Sequence, residues 1–167
     1  MTEHPAVGGA GRFHADAVAI GEIGVARGAG VLRTFLGSCV GVSLHDRRHR
    51  VGALAHVVLP DSQGNRGSPG RFADTAIPEM IRLIREAVGG QRLGLEAKLV
   101  GGAKMFAFQT GVPIGEQNRQ AVERILAAHG IPILGSACGG SQGRRMTVVV
   151  ATGGVTAETV GGDVVEL

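Results

Sequence analysis

The sequence predicts an α+β fold, a mixed β-sheet with helices packed on it, and three observations carry that reading. Short runs rich in Val, Ile and Leu recur along the chain, and two segments repeat apolar residues at helical spacing. Their order is strands, helix, strand, helix, strands. Glycine is the third signal, with 29 of 167 residues against a usual share of about 7%. Many fall in pairs beside apolar runs, such as Gly89-Gly90, Gly101-Gly102 and Gly139-Gly140, where tight turns and close backbone approaches need them.

Residues 1–14 are polar and Gly-rich and are expected to be loose, with residues 15–167 forming one domain. Ala15–Ile20 and Val31–Leu36 read as short strands. Val40–His45 and Val51–Leu59 follow as a hairpin, β-branched on both sides of the charged tip DRRHR. Residues 59–74, LPDSQGNRGSPGRFAD, form a polar loop of a length that usually serves function. A helix is predicted from about Asp74 to Val88, capped by Asp74 or Thr75, with Pro78 in its first turn. Ile77, Met80, Ile81, Ile84 and Val88 make its apolar stripe. Leu95–Val100 reads as a strand, Glu116–His129 as a second helix stopped by Gly130, and Ile131–Leu134, Met146–Ala151 and Gly162–Glu166 as further strands.

Composition narrows the function classes. A net charge of +3 with scattered Arg and only two Lys, and aromatic residues limited to five Phe, does not suit nucleic-acid binding. No run of 18 apolar residues offers a membrane span, and MTEHPAVGGAGRFHAD lacks the basic start and apolar centre of a signal peptide. Two distant cysteines in such a chain are expected as free thiols in a reducing cytoplasm. There is no GxxxxGK[ST] motif, no CxxC pair and no dinucleotide fingerprint, so neither cofactor nor metal is expected. His45-Asp46 looks like a ligand pair, but adjacent strand residues face opposite ways, which makes it a turn entry. Cys138, in SACGGSQGRR, is expected to be an ordinary packed or loop thiol.

The segment TFLGSCVGVSLHD, residues 34–46, carries the sharpest question. Cys39 is either a small core residue or a nucleophile. It follows the turn-prone Gly37-Ser38, whose backbone N–H groups can stabilise an oxyanion, and it opens an apolar strand. With the hairpin tip centred near Arg47-Arg48, Cys39 lies directly opposite His56 on one face, about 5 Å apart at Cβ. An imidazolium there lowers the thiol pKa, so Cys39 is expected to be largely thiolate near neutral pH, and His56 can later supply a proton.

LGSCV, then a hairpin and ALAHVVLPDS, resembles the chemoreceptor glutamine deamidases of bacterial chemotaxis, the CheD family. The likeness continues through FADTAI, KLVGGAKMF, IGEQN and GIPIL, over residues 16–155. The resemblance implies an α/β sandwich similar to the catalytic domain of the cytotoxic necrotizing factor toxins. It implies a catalytic Cys at Cys39, a catalytic His at His56, and a third member of the triad at Thr34, which would orient the imidazole. The implied reaction is hydrolysis of glutamine side-chain amides in methyl-accepting chemotaxis receptors to glutamate and ammonia. A CheC-type phosphatase is a further implied partner. Many members carry Asp-Thr where this chain has Ala137-Cys138. Two rivals stand beside this reading. The same Cys–His pair would serve another thiol acyl-transfer enzyme, and a non-catalytic adaptor binding receptor or phosphatase would belong to a different class.

Overall fold

The computed structural model describes residues 16–106 and 110–167. The loose segment expected at 1–14 lies outside the described residues. Ten strands and two helices follow in order: β1 (Asp16–Ala17), β2 (Ile23–Arg27), β3 (Val31–Leu36), β4 (Val40–Asp46), β5 (Val51–Val57), α1 (Ala73–Ala87), β6 (Leu95–Gly101), α2 (Ile114–Ala128), β7 (Ile133–Cys138), β8 (Arg144–Val149), β9 (Gly154–Thr159) and β10 (Val164–Glu166).

The strands divide into two mixed sheets, which keeps the α+β class and gives it layers. One sheet has the order β1-β3-β8-β9-β10, the other β2-β5-β4-β6-β7. The pairs β1–β3 and β6–β7 are parallel and the remaining neighbours antiparallel. Both helices pack on the second sheet. Val42, Leu44, Ala53 and Ala55 meet Ile77, Met80 and Ile84 of α1 and Val122 and Leu126 of α2 in one apolar cluster. Leu54 and Val100, on the other face, pack with Leu32, Met146 and Val148 of the first sheet. The central sheet is thus covered on both sides, so β4 and β5 are buried at every position. Burial on both faces leaves no room for alternating polar residues, which explains their near-continuous apolar run.

The start of α1 differs from the prediction. Extended Phe72 precedes the helix and no side chain caps it. The Asp74 carboxylate instead accepts hydrogen bonds from Ser62 N (2.9 Å) and Ser62 Oγ (2.7 Å), fastening the long polar loop. Pro78 consequently lies inside the helix, past its first turn.

Candidate functional site

Gly37, Ser38 and Cys39 carry the chain from the end of β3 in one sheet to the start of β4 in the other. Two backbone bonds hold this crossing in place: Gly102 N–H donates to Cys39 O (2.9 Å) and Ala103 N–H to Gly37 O (3.0 Å). Gly101 makes the approach possible. Its φ is +108°, and a Cβ there would collide with Cys39 O. Cys39 is half-buried and packs against the core between the sheets.

His56 comes from β5 and is 3% exposed. Its ladder partner is Gly41, where a Cβ would fall 2.5 Å from Met146 Sδ of the facing sheet. His56 and Cys39 therefore share the inter-sheet side, but they are not directly opposite. The hairpin pairs Asp46 with Val51, so the tip is Arg47–Arg50 and is centred later than expected. Asp46 sets that turn: its carboxylate accepts from His49 N (2.8 Å), His49 Nδ1 (3.0 Å) and Gly94 N (2.8 Å), while Arg50 takes a left-handed φ of 49°. The correction moves the pairing by two positions and so keeps every side chain on its expected face. Cys39 lies diagonal to His56, a spacing of about 7–8 Å between residues that longer side chains bridge.

Thr34 of β3 reaches His56 from the facing sheet, with 2.7 Å between Oγ1 and Nδ1. The same Oγ1 donates to Val18 O at 2.7 Å. A hydroxyl has one proton, and a carbonyl can only accept it. Oγ1 must therefore accept from His56 Nδ1–H. That assigns the imidazole tautomer and leaves Nε2 with its lone pair available.

Burial pushes the Cys39 thiol above its ordinary value and pulls the His56 imidazole below its own. Both directions run against the expected thiolate, because burial in the apolar strip disfavours the charged form of each group. Such an arrangement suits proton transfer during attack rather than a standing ion pair.

The remaining candidates are structural in placement. His45 Nε2 bonds Val150 O (2.7 Å) and Asp46 caps the hairpin, so the dipeptide points two ways, as expected. Cys138 is a free thiol at the end of β7, paired with Gly101. Burial raises its pKa, opposed by Ser136 and Arg144. Among the described residues no three His, Cys, Asp or Glu side chains converge as a metal set. One residue escapes the sequence reading: Asn118 of α2, inside IGEQN, donates from Nδ2 to Ser38 O (3.2 Å) and Val58 O (2.9 Å). Beside the crossing loop an open cavity of about 450 Å³ is lined by Phe35, Gly37, Met105, Arg144 and Val160 among others.

Two stacked sheets, with a half-buried thiol and a buried, tautomer-fixed imidazole on the strip between them, define an α+β protein with the parts of a thiol-dependent site. A family model described as CheD chemotactic sensory transduction matches residues 58–159. The chain is 40% identical over 146 residues to the chemoreceptor glutamine deamidase CheD of Thermotoga maritima, covering 87% of this chain and 92% of that protein. It is 46% identical over 131 residues to a probable chemoreceptor glutamine deamidase CheD of Desulforamulus reducens (75% and 78%) and 38% over 155 residues to one of Pyrococcus abyssi (89% and 94%). The chain belongs to the CheD family. The family-model match begins at residue 58, so Thr34, Cys39 and His56 precede it.

Proposed function

We propose that this chain is a protein-glutamine deamidase that converts glutamine side chains of methyl-accepting chemotaxis receptors to glutamate, releasing ammonia. The observation that carries the reading is the relay Val18 O–Thr34–His56 beside Cys39, in a chain whose relatives are named chemoreceptor glutamine deamidases.

In this reading Cys39 Sγ attacks the amide carbon while its proton passes to His56 Nε2. The oxyanion forms near the backbone N–H groups of Ser38 and Cys39, which donate to no acceptor among the described residues. The imidazolium returns the proton to the departing nitrogen, which leaves as ammonia, and a thioester remains on Cys39. His56 then takes a proton from water, whose oxygen displaces the sulfur. The sulfur recovers its proton and the product is a glutamate side chain. Thr34 holds the ring throughout by accepting the Nδ1–H bond.

Residues 15–167 act as the single deamidase domain, working in the cytoplasm, where a CheC-type phosphatase is a second partner. Among the described residues no helix is long and apolar enough to cross a membrane. The test incubates the protein with receptor cytoplasmic fragments, follows ammonia release, and maps glutamine peptides by mass spectrometry. Conversion of discrete receptor glutamines to glutamate, with matching ammonia, is expected. Receptor peptides that remain amidated throughout would sink the reading.

A further inference from the structure

We propose that Asn118 is a positioning residue for this site: its carboxamide clamps the Cys39 loop to the strand end that carries His56. The inference rests on the deamidase reading above for its kinetic consequence, but its geometry stands alone. Ser38 immediately precedes Cys39, and Val58 lies two residues beyond His56. One Nδ2 group donates to both of their carbonyls, at 3.2 and 2.9 Å. Because both neighbours only accept, the amide nitrogen must face them and the orientation is fixed by chemistry.

The fold is arranged to bring this side chain in. Asn118 is 0% exposed, on the face of α2 that also buries Gly115, Ala121 and Val122. Gly115 meets Gly102 backbone to backbone, and a Cβ on Gly115 would lie 2.6 Å from Gly102 O. Two facing glycines thus let the first turn of α2 approach the segment that already binds Cys39 O. An asparagine on a buried helical face is costly, the more so because its Oδ1 is buried without a partner. An apolar residue there would leave the Ser38 and Val58 carbonyls without this donor, so the buried amide is kept for the two bonds it makes. What the two bonds provide is a fixed separation between the loop that crosses between the sheets and the end of the strand that carries His56.

The clamp makes a paired expectation with opposite signs. Asn118→Ala frees Ser38 O, the loop relaxes, and kcat falls by about 10²-fold, the cost of roughly an ångström of misplacement. KM stays near the wild-type value. Iodoacetamide labelling of Cys39 in the absence of substrate, followed by peptide mass spectrometry, becomes faster because the sulfur gains solvent. Labelling of Cys138, measured in the same digest, stays constant, which separates loop release from general unfolding. Asn118→Ser retains one donor and should recover part of both effects. Asn118→Asp keeps the shape but has no donor when ionised, so its rate relative to wild type should rise as pH falls and the carboxyl protonates. If Asn118→Ala does not fold, Asn118→Ser decides on the same two readings. Unchanged kcat together with unchanged Cys39 labelling in a folded variant would overturn the proposal. If the wild type itself converts no receptor glutamine, the deamidase reading fails, and the Cys39-to-Cys138 labelling ratio alone still decides the clamp.

Discussion

His45 and His56 belong to the same hairpin, face the same inter-sheet strip, and are almost equally buried, at 5% and 3% exposed. Their bonding differs in a way that fits packing for one and the proposed proton transfer for the other. His45 uses Nε2 to reach Val150 O in the opposite sheet, and its ring fills the space over Gly153, where a Cβ would fall 2.6 Å from Nδ1. His56 is held by Nδ1, through a hydroxyl whose own proton is already committed to Val18 O, which leaves the Nε2 lone pair available. Burial of a histidine therefore says little about chemistry. Which nitrogen the protein occupies, and what faces the other, says much more.

The comparison breaks most visibly by exchanging the two roles. His56→Ala should lower kcat by about 10²–10⁴-fold, the usual contribution of a general acid–base. His45→Ala should instead cost about 1–3 kcal/mol of stability, by leaving a buried carbonyl without its donor, while kcat per folded molecule stays near wild type. Steady-state rates and urea unfolding on both variants check this. Equal catalytic losses would erase the distinction.

Thr34 sharpens it at smaller amplitude. Thr34→Val keeps the shape but removes both Oγ1 hydrogen bonds, to Val18 O and from His56 Nδ1; losing the second, worth about 1 kcal/mol to the ring's orientation, should lower kcat about fivefold. Thr34→Ser retains the hydroxyl and should stay close to wild type. A Val variant as fast as the Ser variant would show that another group orients the ring.

The pH dependence gives the mildest effect. Because burial lowers the His56 pKa in the folded state, the unfolded chain takes up a proton first as pH falls. Stability should decline with acidification through the ordinary imidazole value of about 6.5, and His56→Gln should flatten that decline. The raised Cys39 pKa works oppositely: above the ordinary thiol value the unfolded chain loses its proton first, so stability falls as pH rises. Asp46 is also pushed upward by burial, but the N–H groups of His49 and Gly94 and the His49 ring outweigh this and hold it low. Its stabilisation is lost only in stronger acid, which keeps its signal apart from that of His56. The acid limb of kcat/KM should lie below the ordinary imidazole range, and a limb above it would contradict the buried neutral pair.

Much of the site could be read from residues. The strand bounds of Val31–Leu36 match, and the pairing of Cys39 and His56 on one face survives because side chains on a strand repeat every two positions. The exact partner could not be read, since it depends on Asp46 staying in the strand and drawing His49 into the turn. Strand β2, IGVAR, is not legible because Gly and Ala weaken its β-character and its first four residues are all half-buried, with no alternation. In β9, GVTAET, small Ala157 and acidic Glu158 hide an alternation that buries Val155 and Ala157. Asn118 gave no local signal, because its partners lie 80 and 60 residues away.

The proposed chemistry turns on Cys39 as the group that attacks. Its most direct test is mass spectrometry of receptor glutamine peptides after incubation with wild type and with Cys39→Ala, alongside thermal unfolding of both. Removing one half-buried sulfur should cost less than the 2–5 kcal/mol of a large buried aliphatic. An intact, folded variant that converts no glutamine is expected. Conversion at the wild-type level by Cys39→Ala would contradict it.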